Sequence, residues 1–212
     1  MELIAVFDFD GTLIKKDSMI LLFFRYFNLS IRNVPRFCRL TLETLKYFLK
    51  VYSQKEFKEI YINLIISSSR FKEVGALFDD FSKYLLGLVF MGAKEKIIEL
   101  KNKGYKTILL SASPDLYLEK ISRELGFSEL ICTKTVCSDS KIVVSGLNCY
   151  GKNKIKMLLD SFSEDRVNWK GSYCYSDSES DRALLNLFGN PYIANNVRFG
   201  KKNPDFKSVI WK

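Results

Sequence analysis

Residues 3–12 read Leu-Ile-Ala-Val-Phe-Asp-Phe-Asp-Gly-Thr, and this stretch decides the fold of the chain. The apolar run at 3–7 predicts a buried strand, which ends where Asp8 and Asp10 follow. Because the two aspartates are two residues apart, an extended backbone directs both side chains to one face. Gly11 then permits a sharp turn, and Thr12 adds a hydroxyl. Neighbouring carboxylates repel each other unless a cation lies between them, so the stretch favours a hard metal, an anionic substrate and a carboxylate nucleophile.

Length and composition limit the classes of protein. A chain of 212 residues fits one main domain with room for a sizeable insertion. The sequence contains no histidine, which excludes a Ser-His-Asp triad, a Cys-His pair and a histidine-ligated zinc site. Five cysteines lack any CxxC spacing, and we expect reduced, mostly buried thiols in a cytoplasmic protein. They are Cys38, Cys132, Cys137, Cys149 and Cys174.

We expect neither a targeting segment nor a membrane span. Met1 leads directly into the first predicted strand, which leaves no room for a signal peptide. The apolar run at 19–24 ends at Arg25 and is far shorter than the ~20 residues that a span needs.

The net charge of +9 is concentrated early in the chain, because residues 15–84 hold 13 lysines and arginines against 7 acidic residues. A solvated helical surface explains this excess, and an acidic or phosphorylated substrate or an anionic membrane face is the alternative. No basic block or motif indicates nucleic-acid binding.

Residues 15–88, here called the helical insert, contain little glycine and a single proline, Pro35. Apolar residues recur at helical spacing, so we expect one side of a helix there to face the core, along with most aromatic side chains of the insert. That side comprises Phe37, Leu40, Thr44, Tyr47, Phe48 and Val51.

Beyond residue 92 the pattern alternates between helices and strands. Helices are predicted at 93–102, 114–125, 154–162 and about 181–188, and strands at 105–110, 130–132, 172–175 and, last, 191–194. An extended excursion or hairpin is predicted at 135–145. This alternation predicts an α/β fold whose parallel sheet has helices on both faces. Asp8, Asp10, Ser111 and Asp177 all follow strand ends, where open parallel sheets bind ligands.

Four segments resemble, in order, the motifs of the haloacid dehalogenase superfamily, in the branch that includes phosphoserine phosphatase. They are Asp-Phe-Asp-Gly-Thr at 8–12, Ser-Ala-Ser-Pro at 111–114, Gly-Lys-Asn-Lys at 151–154, and Tyr-Ser-Asp-Ser-Glu-Ser-Asp at 175–181. The resemblance implies a Rossmann-like three-layer core formed by residues 1–14 and 89–212. It also implies that the helical insert is a cap domain of the C1 type over residues 15–88.

By this resemblance Asp8 attacks phosphorus to form an aspartyl-phosphate, and Asp10 acts as general acid and then general base. The plain alternative for Asp10 is a turn or cap residue. The resemblance implies one cofactor, Mg²⁺, held by the Asp8 carboxylate, the Asp10 main-chain carbonyl and the Asp177 carboxylate. Lys154 would balance the charge of Asp8 and the phosphate, with Lys152 as the alternative.

Other assignments from the resemblance concern substrate binding. Gly11, Ser111 and Ala112 would hold phosphate oxygens, although Ser111 could instead cap the helix that follows. Asp181 is either a carboxylate behind the metal ligands or a charge at a helix start. Asp17 matches an acidic substrate-recognition position, and a helix cap is an equal alternative.

Two departures from phosphoserine phosphatase limit the substrate prediction. Residues 176–181 lack the glycine-rich GDGxND form, and residues 111–113 read Ser-Ala-Ser where Ser-Gly-Gly is typical. The sequence therefore predicts a magnesium-dependent phosphatase acting on a small phosphorylated substrate. The alternatives are a phosphatidylglycerophosphate-type lipid phosphatase in peripheral contact with a membrane, a phosphotransferase, or a silent binding protein of the same fold.

Overall fold

The structure is a computed structural model that describes residues 1–28, 30–69, 73–138 and 141–212. In these ranges six parallel strands form one sheet, in the order β3-β2-β1-β6-β7-β8. Its strands are β1 (Ile4–Phe7), β2 (Lys106–Pro114), β3 (Glu129–Thr133), β6 (Tyr173–Ser176), β7 (Asn190–Ala194) and β8 (Lys207–Val209). A separate antiparallel hairpin pairs β4 (Thr135–Ser138) with β5 (Lys141–Val144). The predicted hairpin is therefore present, and residues 139 and 140 of that prediction lie outside the described residues.

In the described part of the helical insert there are four α-helices, namely α1 (Ser18–Tyr26), α2 (Val34–Phe48), α3 (Gln54–Ser68) and α4 (Val74–Leu88). The described residues after the insert form five more α-helices, namely α5 (Met91–Asn102), α6 (Asp115–Glu124), α7 (Lys152–Ser161), α8 (Arg182–Leu185) and α9 (Val197–Lys202). The division into a core of 1–14 and 89–212 and a cap domain of 15–88 stays a prediction. Within the described ranges, no helix is both long enough and apolar enough to cross a bilayer.

The sheet is buried on both faces, as its alternating side chains require. Ala5 and Phe7 of β1 pack in one apolar cluster with α5, α6 and the helical insert. Ile4 and Val6 of the same strand pack in a second cluster with α7, α8 and α9. This arrangement of a parallel sheet between two helical layers confirms the predicted α/β, Rossmann-like fold.

Strand β1 marks the point at which the chain changes direction across the sheet. From β1 the chain first continues to β2 and β3 on one side, and later to β6, β7 and β8 on the other. The carboxyl ends of β2, β1 and β6 are therefore neighbours, and open α/β sheets bind ligands at such a switch point.

Helix α3 of the helical insert contacts the hairpin through side chains that form hydrogen bonds with main-chain groups of β5. Asn63 donates from Nδ2 to the carbonyl of Ile142 at 2.7 Å and accepts the Ile142 N–H at Oδ1 at 2.9 Å. Glu59 accepts the N–H of Val144 at 2.8 Å. These contacts satisfy the outer edge of β5, which would otherwise expose unpaired main-chain groups.

The structure corrects the end of the sequence-based prediction. The strand at 191–194 is not the last one, because β8 pairs with β7 beyond it and α9 lies between them. The helix predicted at about 181–188 is shorter, with a 3₁₀ turn at Glu179–Asp181 followed by α-helix only over Arg182–Leu185. Strand β8 reads Lys-Ser-Val and has no apolar alternation to reveal it.

The predicted core face at 37–51 is wrong for three of its six members, because Phe37, Phe48 and Val51 are exposed. Leu40 is buried, whereas Phe48 is 74% exposed and Val51 is 62% exposed. Phe24 of α1, also expected in the core, is 77% exposed. Helix α2 packs on α3 through Leu40 and through Tyr47, whose ring stacks on Phe57 at 4.5 Å. The larger apolar face points outward.

Replacing Phe81 with alanine tests how the helical insert is joined to the sheet. Phe81 of α4 is fully buried, with its ring centroid 5.1 Å from that of Tyr117 in α6 and 5.6 Å from that of Tyr26 in α1. We expect Phe81→Ala to lower the free energy of unfolding by about 3–5 kcal/mol, because it leaves a cavity. The matched Phe48→Ala should change it by less than about 0.5 kcal/mol, because that ring is already exposed. Urea denaturation measures both, and equal losses would contradict this packing.

Candidate active site

A pocket of about 320 Å³ lies at the carboxyl ends of β1, β2 and β6. Asp8 follows β1, Ser111 lies within β2 near its end, and Asp177 follows β6. The pocket is lined by Asp8, Asp10, Gly11, Lys15, Asp17, Gln54, Ser111, Ala112, Tyr150, Lys154, Asp177, Ser178, Ser180 and Asp181. Every residue that the sequence predicted for the site is in this set, except Lys152, the alternative to Lys154.

A buried ion triad lies at the base of the pocket. The Lys154 ammonium is 3.0 Å from Oδ1 of Asp8 and 2.7 Å from Oδ2 of Asp181. Burial acts to lower the pKa of Lys154, but the two carboxylates hold that pKa above its usual value, so the ammonium stays charged. Burial raises the pKa of Asp8 to about 6, against the opposing effect of Lys154. Asp8 is therefore mainly ionised at neutral pH, as a nucleophile must be.

Asp181 has one oxygen that the described part of the chain leaves unused. Its Oδ2 accepts from Lys154 and from the Ser176 hydroxyl at 2.8 Å. Its Oδ1 is buried and has no hydrogen-bond partner among the described residues. A buried acceptor of this kind usually has a partner, so the atom fits a water molecule or a metal-bound water.

Asp10 lies in a hydroxyl network. Its Oδ2 accepts from the Ser113 hydroxyl at 2.5 Å and the Ser18 hydroxyl at 3.1 Å, and its Oδ1 accepts the Ser18 N–H at 2.7 Å. The Tyr117 hydroxyl is 2.7 Å from that of Ser18. Burial, together with the charge of Asp17, raises the pKa of Asp10 to about 7. A carboxyl group with this pKa can both give and take a proton near neutral pH.

Asp177 and Gly11 are in close contact. A Cβ atom on Gly11 would lie 2.0 Å from Oδ2 of Asp177, and Gly11 has a φ of +72°. Only glycine meets both conditions without displacing the carboxylate. Burial raises the pKa of Asp177 to about 7, and the charge of Asp8 adds to the rise.

These residues fit a magnesium ion. Within the described ranges, no group of three or more cysteine, aspartate or glutamate side chains is arranged to hold a metal on its own. Mg²⁺ does not need such a group, because it commonly binds one or two carboxylates and keeps several waters. Asp8 and Asp177 would supply the carboxylates and Asp10 its main-chain carbonyl. The crowded carboxylates with raised pKa values and the unpartnered Oδ1 of Asp181 among the described residues suit a cation and its bound waters.

Ser111 and Ala112 lie at the opposite side of the site. Ser111 is buried, and its hydroxyl accepts the Ser113 N–H at 3.1 Å, which leaves its own hydrogen free to donate. The carbonyl of Ala112 accepts from Lys58 of α3 and from the Thr133 hydroxyl. The helical insert therefore contacts the backbone of the second motif directly.

The geometry bears on two alternatives that the sequence left open, the choice between Lys154 and Lys152 and the role of Asp17. Lys154 is buried against Asp8, whereas Lys152 is exposed at the start of α7. Asp17 both caps α1, accepting the N–H groups of Met19 and Ile20, and lines the pocket. Its role in substrate recognition stays a prediction.

Sequence reasoning missed several residues of the site. Ser18 and Ser113, which hold Asp10, are adjacent to residues already selected, and their hydroxyls were the available signal. Lys58 is buried, and its ammonium also donates to Asn148 at 2.5 Å, while burial lowers its pKa to about 8. Gln54 reaches the pocket from α3, and neither it nor Lys58 carries a sequence signal.

Comparisons with known proteins agree with this geometry. A profile of haloacid dehalogenase-like hydrolases matches residues 5–186. Protein CicA of Caulobacter vibrioides is 31% identical over 202 residues, covering 86% of this chain and 82% of that protein. A Bordetella pertussis protein of unknown function superposes with a TM-score of 0.80 at 19% identity, covering 99% of this chain and 98% of that one. A phosphoserine phosphatase structure described as a phospho-aspartyl intermediate analogue has a TM-score of 0.66 at 18% identity, covering 100% and 94%. At these identities the two structures show a shared fold.

Gly11→Ala tests the contact that positions Asp177. We expect the apparent Mg²⁺ affinity, read from activation of phosphate release, to fall at least ~10-fold, because the new Cβ displaces a proposed ligand. Gly104→Ala is the matched control, because its φ is +84° but nothing lies within 4 Å of its added Cβ. It should cost about 1 kcal/mol of stability and leave the Mg²⁺ response unchanged. An unchanged Mg²⁺ response in Gly11→Ala would contradict the contact.

The stability of the metal-free protein should fall as the pH rises. Asp8, Asp10 and Asp177 have pKa values of about 6, 7 and 7 in the folded protein against 3.8 for the model group, so the folded state binds protons more tightly. Tighter proton binding stabilises the folded state. This stabilisation is fully present below the unfolded pKa and is lost as the pH rises through the folded pKa values. In EDTA we expect the free energy of unfolding to drop by roughly 5 kcal/mol between about pH 5.5 and about pH 8.

Urea denaturation at the two pH values measures this drop. Millimolar Mg²⁺ should stabilise the protein more at the higher pH, because the carboxylates are then free of protons. Asp177→Asn is the control and should remove part of the pH dependence. A metal-free protein that grows more stable over this range would contradict the charge arrangement.

Proposed function

The chain belongs to the haloacid dehalogenase-like hydrolase family, and we propose that it is a magnesium-dependent phosphatase of phosphomonoesters. One observation carries the proposal. An ionised Asp8 lies against the buried Lys154 ammonium, and Asp10, whose pKa is raised to about 7, lines the same pocket. A nucleophile and a proton donor at one anion-binding site are what two-step phosphoryl transfer requires.

In the first step a carboxylate oxygen of Asp8 attacks phosphorus, and the bond from phosphorus to the leaving oxygen breaks. Asp10 gives its proton to that oxygen, so an alcohol leaves and an aspartyl-phosphate remains. The donors on Asp10 hold it in place, because Ser113 and Ser18 bind its Oδ2 while the Ser18 N–H binds its Oδ1.

In the second step Asp10, now ionised, takes a proton from a water molecule that attacks the same phosphorus. The acyl-phosphate bond breaks, inorganic phosphate leaves and Asp8 is restored. Lys154 stays charged and balances Asp8 in the resting enzyme and the phosphoryl oxygens during transfer. Mg²⁺, when bound by Asp8, Asp177 and the Asp10 carbonyl, supplies further positive charge to those oxygens.

Phosphate binding is proposed on the other side of the pocket. The Ser111 hydroxyl has its hydrogen free, and Lys15, which is exposed, lines the entrance region with Asp17 and Gln54. The fold shared with the phospho-aspartyl analogue of phosphoserine phosphatase supports the two-step course.

A phosphomonoester carried on a lipid is the second candidate substrate. The observation in its favour is that Ile20 and Phe24 are exposed on α1, the helix that begins beside the pocket-lining Asp17. A lipid-borne phosphate presented at an interface would find apolar side chains close to the pocket.

Asp8→Asn tests the chemistry. We expect phosphate release to fall at least ~10³-fold with the fold retained, because the amide is not a nucleophile. Asp79→Asn is the matched control, because Asp79 is an exposed carboxylate paired with Lys120 outside the pocket, and it should keep full activity. Circular dichroism establishes folding, and an active Asp8→Asn would refute the covalent course.

The assay should use a substrate panel with Mg²⁺ and with EDTA. Phosphoserine, sugar phosphates, nucleotides and phosphatidylglycerophosphate in detergent cover both candidate classes. Release that requires Mg²⁺ and Asp8 establishes the activity, and the preferred compound separates soluble from lipid-borne substrates. Release that persists in EDTA would contradict the metal requirement.

A further inference from the structure

We propose that the outward face of α2, continued by Ile20 and Phe24 of α1, docks onto an anionic lipid bilayer. We call this surface the apolar ridge. It comprises Ile20, Phe24, Ile31, Val34, Phe37, Leu42, Leu45, Phe48 and Leu49, each of them an exposed large apolar side chain.

The residues that α2 and its C-terminal end contribute to the apolar ridge lie on one side of that helix. Val34, Phe37, Leu45 and Phe48 are separated by three, eight and three residues, and Leu42 and Leu49 lie beside them at helical spacing. The opposite side of α2 packs against the rest of the protein, because Leu40 is buried and Tyr47 stacks on Phe57 of α3. Helix α2 therefore leaves apolar surface that no other part of the described chain covers. The helix is ~22 Å long.

Aromatic contacts make the ridge continuous between the two helices. The ring centroid of Phe23 is 5.4 Å from that of Phe24 and 6.4 Å from that of Phe37. Phe24 is 77% exposed and Ile31, in the connection to α2, is 91% exposed. Such large apolar side chains at full exposure are unusual unless something covers them.

The charge around the apolar ridge indicates what binds to it. Residues 31–51 contain five basic residues and one acidic residue, Glu43. Glu43 is buried, with its carboxylate paired to Lys46 at 3.4 Å, so it offers no negative charge to the outside. Arg32, Arg39 and Lys50 are exposed. Basic residues beside a leucine- and phenylalanine-rich face are typical of helices that lie in the interface of an anionic membrane.

A second copy of the chain fits this surface less well. In a symmetric dimer the same surface meets itself, so the arginines and lysines beside one ridge would lie against those beside the other. An anionic bilayer offers both the apolar depth for Phe48 and Leu45 and the negative charge for Arg39 and Lys50.

Vesicle sedimentation tests the proposal, with EDTA present so that catalysis plays no part. We expect the protein to sediment with vesicles of phosphatidylcholine containing phosphatidylglycerol at low salt. Binding should fall at least ~10-fold on vesicles of phosphatidylcholine alone, and similarly on anionic vesicles in high salt, where charges are screened.

Matched double variants locate the surface. Leu45→Ser with Phe48→Ser should weaken binding to anionic vesicles at least ~10-fold. Ile98→Ser with Ile210→Ser replaces two apolar residues that are 57% and 59% exposed outside α1 and α2, and should bind as the original protein does. Arg39→Gln with Lys50→Gln should reduce the salt dependence. Urea denaturation verifies that each variant is folded.

Three results would overturn the proposal. They are no binding to anionic vesicles, equal binding to neutral ones, or binding that the Leu45 and Phe48 changes leave intact. Self-association that those changes abolish, with no vesicle binding, would assign the ridge to a dimer. Because none of these readouts uses phosphate release, an inactive protein that binds vesicles separates this proposal from the proposed function.

Discussion

The site depends on one buried ammonium among four carboxylates. Lys154 contacts Asp8 and Asp181 directly, while Asp10 and Asp177 complete the negative group that lines the same pocket. Buried charges are stable only when they are paired, and Lys154 alone does not balance these four carboxylates. The excess negative charge can be reduced in two ways. One is proton uptake, as the raised pKa values of Asp10 and Asp177 indicate, and the other is binding of a divalent cation. The same imbalance thus gives a group that can hold a proton at neutral pH, and it favours binding of the proposed Mg²⁺.

The sequence predicted the parts of this site that are determined locally. Asp8, Asp10 and Asp177 could be placed because a strand end fixes where a side chain goes, and the parallel order of β2, β1 and β6 then brings distant strand ends together. Lys58 and Gln54 could not be placed, because their positions depend on how α3 lies against the core. The spacing of residues along the sequence gives no information about a contact between α3 and the core.

Helix α2 shows a different limit. Its periodicity correctly indicates an amphipathic helix, but three of the six residues on the side predicted to face the core are exposed. A periodic pattern states that an apolar face needs an apolar neighbour. It does not state that the neighbour belongs to the same chain. Strand β8 was missed for the opposite reason, because three residues at a sheet edge are held by main-chain pairing with β7 and need no pattern of their own.

Helix α1 links the outer surface to the chemistry. Its first residue, Ser18, binds both oxygens of Asp10, and its exposed residues Ile20 and Phe24 follow within two turns. The helix that carries Phe24 on the outer surface is thus the one whose first residue holds the Asp10 carboxylate. Hydrogen bonds from Ser18 act to lower the pKa of Asp10, and loosening them would raise it further. One short helix therefore contributes both to the apolar ridge and to the hydrogen bonds on Asp10.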